Sequence, residues 1–174
     1  PYADVANYYT DLINDNREAV DSTLSEKPIF HTKNGRVVYG GGGITPDIFS
    51  EQKLDYSKSI REILSHPDRL AFKYANDLKN NIQKKYRNYS KFQANYKIEG
   101  EQKKSFITWL NKQDIEFSKE EIDKDWQYLE NRILSELASS LWGKEYLFKQ
   151  LLMQDTQAQT ALEHFDEARE LYNH

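Results

Sequence analysis

The sequence predicts a mainly α fold: a multi-helix bundle with an N-terminal helix, a β-hairpin and an extended glycine-rich segment. Three observations predict it. Five of the seven glycines (Gly35, Gly40, Gly41, Gly42, Gly43) and two of the four prolines (Pro28, Pro46) fall between Pro28 and Phe49. On either side of that stretch the chain is charged, and its apolar residues recur every three or four positions, the period of an amphipathic helix. The whole is 38% hydrophobic, 30% charged and 13% aromatic over 174 residues, enough to build one tyrosine-rich core. Two regions are expected, residues 1–50 and a C-terminal helical domain over 51–174.

In chain order, Val5, Tyr8, Tyr9, Leu12, Ile13 and Ala19 place a first helix over about Ala3–Leu24, with Asp4, Asp11, Asp15 and Glu18 as its solvated face. A linker, Ser22–Pro28, leads into the hairpin. Asn34-Gly35 suits a two-residue type I′ turn. With Lys33 and Arg36 flanking it, Thr32 lies opposite Val37, His31 opposite Val38 and Phe30 opposite Tyr39, so Phe30, Thr32, Val37 and Tyr39 share a face. After the four glycines, Ile44–Phe49 resumes an extended path because the residue before Pro46 is pushed out of helical geometry.

Beyond Phe49 the period becomes helical. Asp55 is expected to cap a short helix through Ile60, Ile63 and Leu64 that stops at Ser65-His66-Pro67. Pro67 and Asp68 then open a long helix with Leu70, Tyr74, Leu78, Ile82 and Tyr86 as its stripe, backed by Ala71 and Ala75. Phe92–Ile98 reads as irregular, ending at Gly100, and Phe106, Trp109 and Leu110 mark the next helix. Ser118-Lys119-Glu120-Glu121 is a capping box, in which hydroxyl and carboxylate satisfy free amides reciprocally. It opens a helix running Ile122, Trp126, Leu129, Ile133, Leu137, Leu141 to Gly143. Tyr146, Leu147, Phe148, Leu151 and Leu152 form a dense apolar helix. Asp155 caps a last one through Ala158, Leu162, Phe165, Ala168 and Tyr172.

Several chemistries are disfavoured by residue type and spacing. The absence of cysteine excludes disulfides and thiolate metal sites, and no apolar run approaches the twenty residues of a membrane span. The glycine run ends in Ile-Thr-Pro-Asp rather than the Gly-Lys-Ser/Thr of a phosphate loop, and no third glycine completes a dinucleotide fingerprint. His31, His66, His164 and His174 are too dispersed for a metal site or a triad, so neither a metal nor a cofactor is expected. Asp114, Glu116, Glu120, Glu121, Asp123 and Asp125 lack the glycine and closing glutamate of a calcium loop; they read as acids at helix starts.

Charge is segregated. Residues 69–104 carry ten Lys/Arg against three Asp/Glu, while 105–174 carry seven against fourteen. Tyr74, Tyr86, Tyr89, Phe92 and Tyr96 interleave the basic block, which could hold single-stranded nucleic acid by pairing and stacking. Docking of this block on the acidic helices of the same chain is the favoured reading, and nucleic acid is not an expected partner.

The stretch GRVVYGGGGITPDIF resembles the signature of carboxyl-terminal processing peptidases, also called tail-specific proteases, and looks most like the bacterial branch whose core is followed by a long helical tail. Gly35, Arg36, Val38, Tyr39, Gly40, Gly41, Gly42, Gly43, Ile44, Pro46 and Asp47 carry the match, as structural rather than catalytic residues. Pro1-Tyr2 and the Tyr8-Tyr9 segment are similar to the stretch after the core strand in such enzymes. The resemblance implies a serine nucleophile and a lysine base upstream of Pro1, since no counterpart of either motif occurs here. Gly143-Lys144, followed by Glu145-Tyr146, is a chance dipeptide. The chain starts at Pro1 and its only methionine is Met153, so a fragment or a processed product is expected.

The function implied is that of the non-catalytic C-terminal portion of a secreted serine endopeptidase acting near protein C-termini, in the bacterial cell envelope or periplasm. This segment alone would be inactive. Its partners would be the upstream core of the same polypeptide and protein substrates or a partner protein. The alternative is a helical protein–protein interaction module whose parent has no protease activity. In the isolated chain the hairpin region would be exposed, mobile or paired with a neighbouring copy.

Overall fold

The computed structural model describes residues 27–40, 48, 50 and 56–173. The predicted N-terminal helix, Gly41–Asp47, Asp55 and His174 lie outside the described residues. The chain divides into two compact units, Ser50–Asp166 and a smaller one that joins Pro1–Phe49 with Glu167–His174. Among the described residues the fold is mainly α, with nine α-helices and one antiparallel hairpin, and no helix is long and apolar enough to cross a membrane.

In the hairpin, β1 (Ile29–His31) pairs with β2 (Val37–Tyr39). The register is Ile29↔Tyr39, Phe30↔Val38 and His31↔Val37, one residue away from the expected pairing. The reason lies in the turn. A type I′ turn needs positive φ at both Asn34 and Gly35, but only Gly35 has it, at +81°. Thr32 and Arg36 therefore close a three-residue loop: the Thr32 amide donates to the Arg36 carbonyl at 2.9 Å, and the Arg36 amide to Thr32 Oγ1 at 3.2 Å. Slipping one strand by one residue exchanges its faces, so Phe30 is separated from Tyr39. Its ring instead lies over Gly40, where an added Cβ would sit 2.5 Å from Phe30 Cε2.

The Ser50–Asp166 unit begins its helices with α1 (Lys58–Ser65) and α2 (Leu70–Lys85). Pro67 and Asp68 occupy the turn between them, so α2 starts later than its sequence suggests. Next, α3 (Tyr89–Asn95) takes up the first part of the expected irregular stretch, leaving Tyr96–Ile98 irregular: Asn88 Oδ1 accepts the Lys91 amide at 3.0 Å and caps the helix. After α4 (Glu101–Leu110), the expected single long helix is two, α5 (Lys119–Lys124) and α6 (Trp126–Trp142), broken at Asp125. Then come α7 (Lys144–Leu151), a 3-10 turn (Leu152–Gln154) and α8 (Thr156–Glu163), which Asp155 caps as predicted by accepting the Ala158 amide at 2.9 Å. The last expected helix is also divided, with α9 (Phe165–Asn173) starting beyond His164.

The break at Asp125 has a physical cause 68 residues upstream. No side chain within α1 caps its start. Instead Asp125 Oδ2 accepts the Ser57 amide at 2.8 Å, and Glu121 Oε2 accepts both the Ser59 amide at 2.8 Å and the Ser59 hydroxyl at 2.6 Å. Ser59 Oγ in turn accepts the Ser118 amide at 2.8 Å. The capping box is thus only half formed: Ser118 Oγ accepts the Glu121 amide at 3.3 Å, while the Glu121 carboxylate serves the other helix. Two helix starts satisfy each other's orphan donors. These bonds hold both carboxyls below their ordinary values, Glu121 through the Ser59 side chain and amide, and Asp125 through Ser57.

The core of this unit centres on α6, which packs chiefly against α2 and α7. Leu129, Ile133, Leu134, Leu137 and Ala138 of α6 are buried, as are Asn131, Ser135 and Glu136, so the helix is covered on most sides. Around it lie two aromatic groups. Tyr74 and Phe106 meet edge to face at 4.9 Å, with Trp109 and Trp126 beside them. Tyr86, Tyr89, Phe92 and Tyr96 gather near Trp142 and Tyr146.

Candidate functional site

The most chemically loaded place in the Ser50–Asp166 unit is a cavity of about 50 Å³ beside the α1–α2 turn, with Arg69, Arg132 and Glu136 among its walls. Glu136 faces inward because it shares α6 with Ile133 and Leu137, and its residue is 5% exposed. A buried carboxylate needs partners. Arg132, one turn earlier, supplies one: its Nη2 donates to Oε1 at 2.9 Å. Arg69 Nη2 stands 3.6 Å from Oε2.

Arg69 reaches this place from an unusual backbone. It precedes the first residue of α2 at φ +52° and ψ +60°, the left-handed region, and no side chain caps the helix there. For a residue with a Cβ this conformation costs about 1–2 kcal/mol. Its guanidinium lies 4.6 Å from the centre of the Phe72 ring and stays largely in solvent. Ile63, Leu64 and Leu70 complete the apolar side of the cavity. Two guanidinium groups against one carboxylate leave a net positive charge, suited to holding an anion rather than a metal.

A second carboxylate, Glu130, accepts the Ile98 amide at 2.6 Å and is half-buried; burial pushes its carboxyl up, against the pull of that amide. Tyr96, buried nearby, has its phenol pushed up to about 12, also by burial. A third buried group is neutral: the Tyr89 hydroxyl donates to Gln150 Oε1 at 3.1 Å, and Gln150 Nε2 to Asn131 Oδ1 at 2.9 Å, tying α3, α7 and α6 together.

Residues 67–143 match a family of unknown function (DUF8443). That stretch runs from the turn before α2 through α6, and it contains Arg69, Arg132 and Glu136. No curated protein and no solved structure matches the chain.

Of the residues expected to matter, Gly35, Arg36, Val38, Tyr39 and Gly40 lie on the hairpin; Gly41, Gly42, Gly43, Ile44, Pro46 and Asp47 are outside the described residues. His31, His66 and His164 fall on the hairpin, the α1–α2 turn and the α8–α9 break. Among the described residues no three His, Asp or Glu side chains converge as a metal site would require. Four of the acids around α5 have partners within the fold: Glu120 takes the Ser118 hydroxyl, Asp123 pairs with Lys103 at 2.6 Å, and Glu121 and Asp125 cap α1.

The basic block keeps its lysines outward but not its rings. Tyr74, Tyr86, Tyr89, Phe92 and Tyr96 are all buried, so they serve the core and offer no stacking platform. From that block to the acidic half, Arg69–Glu136 and Lys103–Asp123 are the ion pairs formed among the described residues. The cavity itself was not foreseen. Its one legible signal is Glu136 at i+4 from Arg132 inside an apolar run; nothing in the local sequence marks Arg69 as left-handed.

Proposed function

We propose that this chain is the non-catalytic, C-terminal portion of a secreted serine endopeptidase that cleaves proteins near their C-termini. The observation that carries the reading is the resemblance of Gly35–Asp47 to the tail-specific protease signature. In that setting Ser50–Asp166 acts as an accessory module that positions substrate or supports the catalytic core. Peptide hydrolysis would proceed by acyl transfer to a serine activated by a neutral lysine, both upstream of Pro1. Export to the bacterial cell envelope belongs to the same reading.

The test begins with the reading frame upstream of Pro1. A serine in a small-residue turn followed by a lysine in a Gly-Lys-Gly-like strand is expected, and a frame without that pair overturns the proposal. Deletion of residues 51–174 from the full enzyme then separates roles. Loss of cleavage marks a part in positioning or support, and retained cleavage with lost recruitment marks an interaction module.

A second reading, the interaction module without a protease parent, is favoured by one feature of the C-terminal helices. Phe148, Leu152, Met153, Leu162 and Phe165 are exposed, and no residue of α8 is buried. Large apolar side chains at a surface are characteristic of protein contacts when they cluster.

A further inference from the structure

We propose that the cavity beside the α1–α2 turn binds a small oxyanion, a phosphate or carboxylate group, through the Arg69 and Arg132 guanidinium groups. This stands apart from the peptidase reading and survives its failure. Three observations on different atoms converge on the same place.

The first is unspent donor capacity. A guanidinium carries five N–H groups in a planar fork that matches two oxygens of a carboxylate or phosphate. Arg132 uses one contact on Glu136 Oε1. Among the described residues the Arg69 guanidinium makes no hydrogen bond, having only Glu136 at 3.6 Å and the Phe72 ring at 4.6 Å. The second is charge. The cavity walls carry two cations and one anion, so a monoanionic group neutralises them, and the uncapped start of the 16-residue helix α2 adds positive potential on the same side. The third is the Arg69 backbone, whose left-handed conformation glycine would adopt without strain. Strained residues of this kind concentrate where a side chain must be held for a ligand. About 50 Å³ admits a group of a few heavy atoms and excludes a nucleoside.

Glu136 has a defined part here. It neutralises Arg132 and leaves the Arg69 fork free to take the ligand. The incoming oxyanion takes Arg69 into charge-assisted hydrogen bonds that the 3.6 Å separation does not provide.

The test titrates the full 174-residue chain with inorganic phosphate and, separately, acetate, at ionic strength held constant with chloride. Binding is read by calorimetry and by ¹⁵N shifts of the arginine side chains. Saturable binding of at least one anion is expected, with Arg69 and Arg132 Nε signals moving together. Arg69→Gly keeps the backbone conformation and should not lower Tm, yet should weaken binding by about tenfold or more, as loss of a charged hydrogen bond implies. Lys112→Ala, at an exposed lysine that does not line the cavity, should leave affinity unchanged. Phosphate alone saturating assigns the site to phosphate-class ligands, and acetate alone to carboxylates; both support the proposal. Saturation by neither, or equal affinity in Arg69→Gly and the parent chain, overturns it.

Discussion

Replacing Ser59 by alanine should destabilise the Ser50–Asp166 unit by about 2 kcal/mol. The residue is 3% exposed, and its hydroxyl makes two bonds to residues about sixty positions away. Losing the 2.6 Å bond to the Glu121 carboxylate removes a charge-assisted interaction, about 1.5–3 kcal/mol. Stranding the Ser118 amide adds less than its full penalty, about 0.5 kcal/mol, because Ser118 is only partly buried and water can reach it. Alanine returns a few tenths through better helix propensity, about 0.5 kcal/mol at most. The net corresponds to a fall in Tm of about 8 °C for a unit of this size. Trp109, Trp126 and Trp142 all lie in this unit, so urea denaturation followed by tryptophan fluorescence reads it directly. Ser65→Ala is the control: that hydroxyl donates to the Arg61 carbonyl at an exposed position, and its loss should fall within about 0.5 kcal/mol. Ser59→Ala and Glu121→Gln together should cost less than their sum, since they delete the same contact. A Ser59→Ala loss below about 0.5 kcal/mol, or full additivity, would refute the joint as an energetic feature.

Four further outcomes are expected. The lowered carboxyls of Glu121 and Asp125 mean that the unfolded chain takes up protons first as pH falls. Their contribution is therefore complete above the ordinary values of 4.5 and 3.8 and is lost as pH drops through the lowered ones; a Tm series over acid pH should decline, less steeply in Glu121→Gln. Glu130 has the opposite sign: raised in the fold, it stabilises below its ordinary 4.5 and that part is lost as pH rises through the raised value, so Glu130→Gln should remove this component. Tyr89→Phe leaves Gln150 Oε1 without its buried donor and should cost about 1–2 kcal/mol by urea titration, whereas a neutral result would mean the Tyr89–Gln150–Asn131 chain is not holding α7. In the hairpin, Gly40→Ala should swing the exposed Phe30 ring aside, visible as ring-proton shifts confined to Phe30 and its neighbours.

What could be read from sequence was the part written locally. The stripe from Leu70 to Tyr86 follows the helical period and is buried, apart from Leu78, as that period requires. Asp155 caps α8 from three residues away, and Gly143 ends α6. Failures occur where a distant residue decides. Ile122 to Leu141 keeps an unbroken apolar rhythm, yet the helix is cut at Asp125 because Ser57 claims its carboxylate. The capping box looked self-contained, but Glu121 spends its oxygens on Ser59. In the hairpin, a single negative φ at Asn34 was enough to shift the register, a difference that Asn-Gly alone does not reveal. The candidate site was least legible of all, since Arg69 stands in the turn before α2 and Glu136 on α6, and they meet only after α2 packs on α6.

The reciprocal bonds between the starts of α1 and α5 also order events in time. Ser59 leaves the ribosome 62 residues before Glu121, and 59 before Ser118. At elongation rates of about 5–20 residues per second, α1 waits on the order of 3–12 s for the partners that complete its first turn. An eight-residue helix without them is too short to persist alone. The first turn of α1 is therefore completed only once the chain through α5 has been made.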